Sequence, residues 1–413
     1  MSILQKIKLL SLVLCLSIAG FSQVTVVDTI VIGDYPYGIG VNPQTNRIYV
    51  ANKYSDSVSV IDGSGDSVIA TIGVGDYPNG VGVNPQTNRI YVANADSDNV
   101  SVIDGSGDSV IATIGVRDSP AGVGVNPQTN RIYVANVFSD NVSIIDGSGD
   151  SVIATIGVGY YPVGVGVNPQ TNRIYVANAG SDNVSVIDGS GDSVIATIGV
   201  GISPDGIGVN PQTNRIYLAN AFSNSVSVID GSGDSVIATI GVGDSPAGVG
   251  VNPQINRIYV ANAFSNSVSV IDGSGDSVIA TIGVGNGPVR VGVNSQTNRI
   301  YVSCQLDGTV WVLQDATGGV EDSTHNPQDL SFTIYPNPFS QKTYLRFTLP
   351  KASRVNLTVY DITGRLVTTI IDGFRNAGVY EITFDGSKFA SGIYFYQLKA
   401  GEFEGTRKLL LIR

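Results

Sequence analysis

Short apolar runs, each followed by turn residues, recur along most of the chain. Within residues 79–120 the runs are Val81–Val83, Arg89–Ala93, Val100–Ile103 and Val110–Ile114. Two of them alternate polar and apolar positions, as in Arg89-Ile90-Tyr91-Val92 and Asn99-Val100-Ser101-Val102. That period of two, with Val, Ile and Tyr enrichment, predicts half-buried β-strands. Between them lie Asn84–Asn88, Ala95–Asp98 and Asp104–Asp108, built from Asn, Pro, Asp, Ser and Gly. These residues favour turns because they tolerate or pre-set the required backbone angles. No run is long enough for an ordinary helix.

The same unit is written seven times. Its tyrosine falls at Tyr49, Tyr91, Tyr133, Tyr175, Tyr217, Tyr259 and Tyr301, always 42 residues apart. Four antiparallel strands per unit of this length predict a β-propeller blade. We label the strands a to d from the centre outward. The seventh unit has candidates for a (Val291–Val293), b (Arg299–Ser303) and c (Thr309–Leu313), but none for d. The segment Val24–Ile32 reads like the missing strand. A closed ring of seven blades, with the N-terminal strand completing the last, hides sheet edges that would otherwise template aggregation. A linear β-solenoid is the alternative, and it leaves that N-terminal strand without a place.

The string NRIYVAN, with IDG about ten residues later, resembles the YVTN-type propeller repeat of bacterial and archaeal surface proteins. The resemblance spans about residues 24–315. It departs in the seventh copy, where Ser303-Cys304 replaces Ala-Asn. It implies a seven-bladed, usually extracytoplasmic propeller and no single activity, because one fold hosts many functions.

Both ends of the chain read as addresses. Residues 1–23 carry Lys6 and Lys8, an apolar run from Leu9 to Ile18, then Ala19, Gly20 and Ser22. This is the layout of a secretory signal peptide, too short to span a bilayer, with cleavage expected near Ser22 or Gln23. Leu14 before Cys15 argues against a lipoprotein site. Cys304 is then the single cysteine of the mature chain, which has no transmembrane stretch. Residues 316–330 are polar and read as a linker. Residues 331–413 alternate again without repeating, with about seven strands predicted, as in a small β-sandwich. Tyr335-Pro336-Asn337-Pro338-Phe339, the Gly364-Arg365 turn, Gly392 and Tyr394, and Lys408 resemble the C-terminal sorting domain of the type IX secretion system of Bacteroidetes. That resemblance implies the secretion machinery as partner and export past the outer membrane. An accessory binding sandwich is the alternative.

Composition narrows the chemistry. Charged residues are only 14% and the net charge is −11, which excludes a basic nucleic-acid binder. Two cysteines and one histidine make neither a disulfide framework nor a zinc site. Residues 24–320 contain no Glu, His or Met, and Lys53 is their only lysine. General acid–base work is thereby deprived of its usual groups, and no cofactor, metal or catalytic residue is expected. The recurring DGSGD turn lacks the distant Glu of a calcium loop, so its Asp residues are expected to bond their own turn backbone. The ring of seven arginines from Arg47 to Arg299 reads as a repeated structural contact. Cys304 reads as a small buried thiol.

Comparison among the copies locates a candidate site. The a–b turn NPQTN and the c–d turn DGSGD barely vary, whereas the b–c and d–a turns do. A propeller puts the variable pair on one end. There lie Tyr35, Tyr37, Tyr54, Tyr77, Phe138, Tyr160, Tyr161, Phe222 and Phe264, with Arg117 and Arg290 outside the arginine repeat. Aromatics on a variable rim of a rigid scaffold fit a binding surface for an extracellular glycan or protein. Neutral drift of surface turns is the competing account. Function therefore reads as a secreted or surface-displayed binding or adhesion scaffold. An extracellular lactonase- or lyase-like enzyme and a surface-layer component stand as alternatives.

Overall fold

The computed structural model describes residues 23–316, 332–335, 341–349, 351–362, 364–376, 378–401 and 403–411. The expected signal peptide (except Gln23), the linker (except Ala316), and Pro336, Asn337, Pro338 and Phe339 lie outside these residues. Val24–Asp315 forms one compact unit. It consists of seven four-stranded sheets. Blade 1 runs Pro36–Asn42 (a), Arg47–Asn52 (b), Ser57–Asp62 (c) and Ser67–Gly73 (d). The next five blades repeat it, and the a strands touch in a closed circle, first to last. In the seventh sheet Gln23–Val31 lies outside Thr309–Ala316, followed by Arg299–Cys304 and Pro288–Asn294. The N-terminal strand is thus the fourth strand of the last blade.

The burial pattern explains the repeat. Strand b is buried on both faces, with Ile48, Tyr49, Val50 and Ala51 inaccessible to solvent. Between blades 1 and 2, Tyr49, Val58, Val60 and Ile72 pack on Ile90, Val92 and Ile103. This apolar layer recurs round the ring and is the main stabilising term. Strand d is the exposed outer edge, where Ile69 keeps 48% of its surface. Strand a lines the axis, where room is shortest. A Cβ on Gly38 would lie 1.9 Å from the Asn79 carbonyl oxygen of the next blade, and one on Gly40 2.7 Å from Val81 Cγ1. The glycines of strand a therefore permit the inner strands to converge.

Each turn uses one residue in the left-handed region, such as Asn46 (φ 53°), Asp56 (45°) and Asp66 (46°). Asn and Asp tolerate this region better than other side chains, which fixes their places in NPQTN and DGSGD.

The arginine ring is a set of latches between blades. Arg47 Nη1 donates to Asp108 Oδ1 at 2.8 Å and to the Gly105 carbonyl at 2.9 Å in the next blade. Arg89–Asp150, Arg131–Asp192, Arg173–Asp234 and Arg215–Asp276 repeat the pair. Arg299 closes the circle on Asp66. Arg257 instead meets Asp315, because the last blade takes its outer strand from the N-terminus and has no DGSGD turn. This corrects one expectation. The first Asp of DGSGD does bond its own turn, Asp62 Oδ1 accepting from Ser64 N at 3.1 Å. The second is the arginine's partner.

The described residues of 332–411 make a second unit of two sheets. One holds Phe332–Tyr335, Lys342–Leu349 and Gly378–Asp385. The other orders Leu366–Arg375, Ser353–Asp361, Gly392–Ala400 and Phe403–Leu411. Leu345, Phe347, Leu357, Val359, Phe384 and Leu398 share one core between them.

Candidate binding site at the channel mouth

Turn-to-turn hydrogen bonds establish the two ends of the ring. Lys53 N donates to the Tyr35 carbonyl at 3.1 Å, tying the b–c turn to the d–a turn. Gly63 N donates to the Asn46 carbonyl at 2.9 Å on the opposite end. The variable turns therefore share one rim.

On that rim five of the aromatic candidates fall into two groups, which Tyr160, Phe222 and Phe264 do not join. Tyr35 and Tyr54 have ring centroids 4.6 Å apart, and Tyr54 lies 5.9 Å from Tyr77 of the next blade. Phe138 meets Tyr161 edge-on at 6.3 Å. Tyr54, Phe138, Tyr160, Tyr161, Phe222 and Phe264 are all exposed. Gly180 takes the place of an aromatic in its turn, because a Cβ there would be 2.6 Å from the Tyr161 ring. Tyr35, Tyr77 and Tyr161 occupy left-handed positions at φ 57°, 55° and 51°, where other blades carry Ser or Gly. A bulky residue in that region is strained, and such strain gathers at functional sites. Arg117 is exposed and does not join these groups.

A different set converges on the axis. Tyr37 and Arg290 do not stand on the outer rim with the other candidates. They lie half-buried at the channel mouth, lining a cavity of about 240 Å³ together with Asp205. Arg290 takes the place of the strand-a glycine in the last blade and grips Asp205 bidentately, Nη2 to Oδ1 at 2.9 Å and Nη1 to Oδ2 at 3.1 Å. Its Nη2 also donates to the Tyr37 hydroxyl at 3.2 Å. Ser303, another departure of the seventh copy, donates to the Tyr37 carbonyl at 2.7 Å. Lys53 completes the cluster. Its Nζ lies 3.3 Å from the Tyr37 ring centroid and 4.9 Å from that of Tyr77. The side chain is only 7% exposed.

Electrostatics follow from this packing. Burial, then the Arg290 guanidinium, pushes the Lys53 ammonium down to about 7, against the pull of Asp205 and Asp96. Burial disfavours the Arg290 charge, but Asp205 and Tyr37 outweigh it and hold the guanidinium firmly protonated. Arg290 favours ionising Tyr37, yet burial and Asp205 prevail and raise its pKa. Cys304 is buried, and burial pushes its thiol up to about 12, away from the thiolate form.

Sequence reasoning named Tyr37 and Arg290 but not Lys53 or Asp205 as site residues. The signal was present in the copies. The position of Lys53 is Ala, Val or Gln in the other six units, and that of Asp205 is otherwise Tyr, Asn, Ala or Val.

In the tail, Gly364 (φ 83°) makes a turn in which its N–H donates to the Asp361 carbonyl at 3.0 Å, and Arg365 Nε donates to Asp361 Oδ2 at 3.0 Å. The Tyr394 hydroxyl donates to the Ala390 carbonyl at 2.8 Å. Gly392 opens the strand that carries Tyr394, Tyr335 ends a strand of the other sheet, and Lys408 lies in the last strand.

Comparison with known proteins agrees with both units. The chain is a β-propeller followed by a sorting tail. Residues 333–412 match the family described as the secretion system C-terminal sorting domain, which marks the protein for secretion or the cell surface. A solved structure titled Kuenenia stuttgartiensis Hydrazine Synthase superposes with a TM-score of 0.63 at 22% identity. The match covers 72% of this chain and 99% of that one, a likeness of fold. No curated protein matches the chain.

Proposed function

We propose that the protein is an extracellular binding or adhesion module, carried outward by a type IX-like route after signal-peptide cleavage. Its propeller holds a glycan or protein ligand on the variable rim around the channel mouth. One observation carries this reading. Positions where the copies differ are brought together across blades into aromatic groups, with three tyrosines in strained backbone. Drift of surface turns gives no reason for bulky rings to settle where serine or glycine is easier. Exposed, rigid aromatics supply contact area at little entropic cost. The domain limits 24–315 and 331–413 belong to the same proposal. The test is a glycan and cell-surface array with the full chain and a variant carrying Tyr35→Ala, Tyr77→Ala, Phe138→Ala and Tyr161→Ala. Loss of binding with an unchanged circular dichroism spectrum supports the rim. Equal binding by both proteins sinks it.

A further inference from the structure

Each blade presents a pair of outermost residues on the variable rim, the second of the d–a turn that enters it and the second of its b–c turn. A main-chain hydrogen bond holds each pair together, as from Tyr54 N to the Asp34 carbonyl at 3.4 Å and from Phe264 N to the Asp244 carbonyl at 3.2 Å. All of these residues are exposed. They draw on a narrow set of side chains. Asp34, Asp76, Asp96, Asp118 and Asp244 are carboxylates, and Tyr54, Phe138, Tyr160, Phe222 and Phe264 are rings. Ile202, Leu306, Asn286 and Gly180 make up the rest, with no lysine or arginine. Drift at exposed positions admits basic and hydroxyl side chains as readily.

Carboxylates and rings stand side by side. Tyr54 is paired with Asp34, Phe138 with Asp118 and Phe264 with Asp244. Tyr54 is also tilted 31° to Tyr35 and 52° to Tyr77, a three-ring patch whose turns carry Asp34 and Asp76. None of the five carboxylates is in an ion pair among the described residues. The nearby cations are engaged elsewhere, Arg290 on Asp205 and Lys53 buried against Tyr37. Arg117 is the one exposed cation of these turns.

We propose that the rim takes a basic polypeptide segment, its Lys and Arg side chains laid on the rings and paired with the carboxylates. The proposal rests on the rim reading and names its partner. Carboxylates accept hydrogen bonds and do not donate, whereas ammonium and guanidinium groups donate and do not accept. An acceptor-rich surface therefore matches a ligand made of donors. A sugar hydroxyl is both, and the donors it needs come at these positions only from the side chains of Tyr54, Tyr160 and Asn286. The rings add to the match. A cation over an aromatic face is attracted by the ring quadrupole, and a guanidinium also stacks on it. Complementary charge then speeds encounter and rejects acidic partners.

The experiment uses the full chain and the fluorescence anisotropy of a labelled peptide of alternating Arg and Gly. The Arg peptide should bind, more weakly as salt rises, and a counterpart with Glu for Arg should not. Asp34→Asn, Asp118→Asn and Asp244→Asn together should weaken binding at least about tenfold and flatten its salt dependence. Asp62→Asn, Asp104→Asn and Asp146→Asn remove the same charge from the opposite end, and Asn keeps the acceptor for Ser64, Ser106 and Ser148 N–H. That set should weaken binding less than about twofold. Tyr54→Ala, Phe138→Ala and Phe264→Ala should weaken it at least about tenfold with the salt dependence kept. Circular dichroism checks the fold of each variant. Equal weakening by the two Asn sets, unchanged binding in the ring variant, or no binding of the Arg peptide overturns the proposal. Glycan binding that the rim tyrosine variant loses, without any binding of the Arg peptide, overturns it while the rim reading stands.

Discussion

Arg290 reaches from the last blade to Asp205 in the fifth, with both terminal guanidinium nitrogens on the carboxylate at 2.9 and 3.1 Å. The pair bridges the channel mouth and sets the charge that Lys53 and Tyr37 feel. Each side chain keeps about a fifth of its surface, 22%. Its worth lies between that of an exposed and a buried ion pair. Arg290→Met should cost about 1–2 kcal/mol. Adding Asp205→Asn should return part of that loss, which a double-mutant cycle by thermal unfolding reads directly.

Lys53 makes stability depend on pH. Its folded pKa of about 7 is below the unfolded value, so the unfolded chain binds the extra proton between about pH 7 and 10. Stability therefore rises with pH across that window, by up to about 1.4 kcal/mol per unit. Below pH 7 the full penalty of a buried ammonium is present. Lys53→Met should remove this rise, as measured by denaturant titrations at pH 7 and pH 9. Parallel curves for both proteins would show that Lys53 is not perturbed.

The rim tyrosines separate stability from binding. Tyr35→Gly, Tyr77→Gly or Tyr161→Gly frees a side chain from φ above 50°. Each should leave stability unchanged or raise it by up to about 1 kcal/mol, strain relief offsetting lost ring contacts. Binding should fall in the same variants. Thermal unfolding beside a ligand array gives both numbers, and a fall in stability with intact binding contradicts the rim assignment.

Ring closure should matter more than any latch. Arg131 and Asp192 are each partly exposed, so Arg131→Met should cost less than about 1 kcal/mol. Deleting residues 24–31 uncovers the strand Thr309–Ala316 and strips the last blade of Val24 and Ile30, both buried. Denaturant unfolding of that truncation should show a loss several times larger, with aggregation from the opened edge.

Cys304 should be silent until the protein unfolds. Its thiol is inaccessible and pushed up to about 12. A thiol reagent at pH 8 should titrate none of it in native protein and all of it in denaturant.

The chain's own periodicity determined the ring. A repeat of 42 residues with four apolar runs admits few folds. Even the composite blade was legible, because an unpaired N-terminal run matched a gap at the other end. Turn identities were equally readable, since only certain side chains accept the left-handed backbone that Asn46 or Asp66 adopts. Arg47 is a clear limit. Its recurrence marked it as structural, but its partner Asp108 is 61 residues away and lies in another blade. The same holds for the mouth. Tyr37, Lys53, Asp205 and Arg290 come from three blades and span most of the ring's length in sequence. Nothing local couples them. Only the closed circle brings the last blade against the first, and only burial there separates Lys53 from water and from an acceptor. Local patterning thus set the strands, the turns and their number. The tertiary closure set which exceptional residues meet and what their proximity does to their charge.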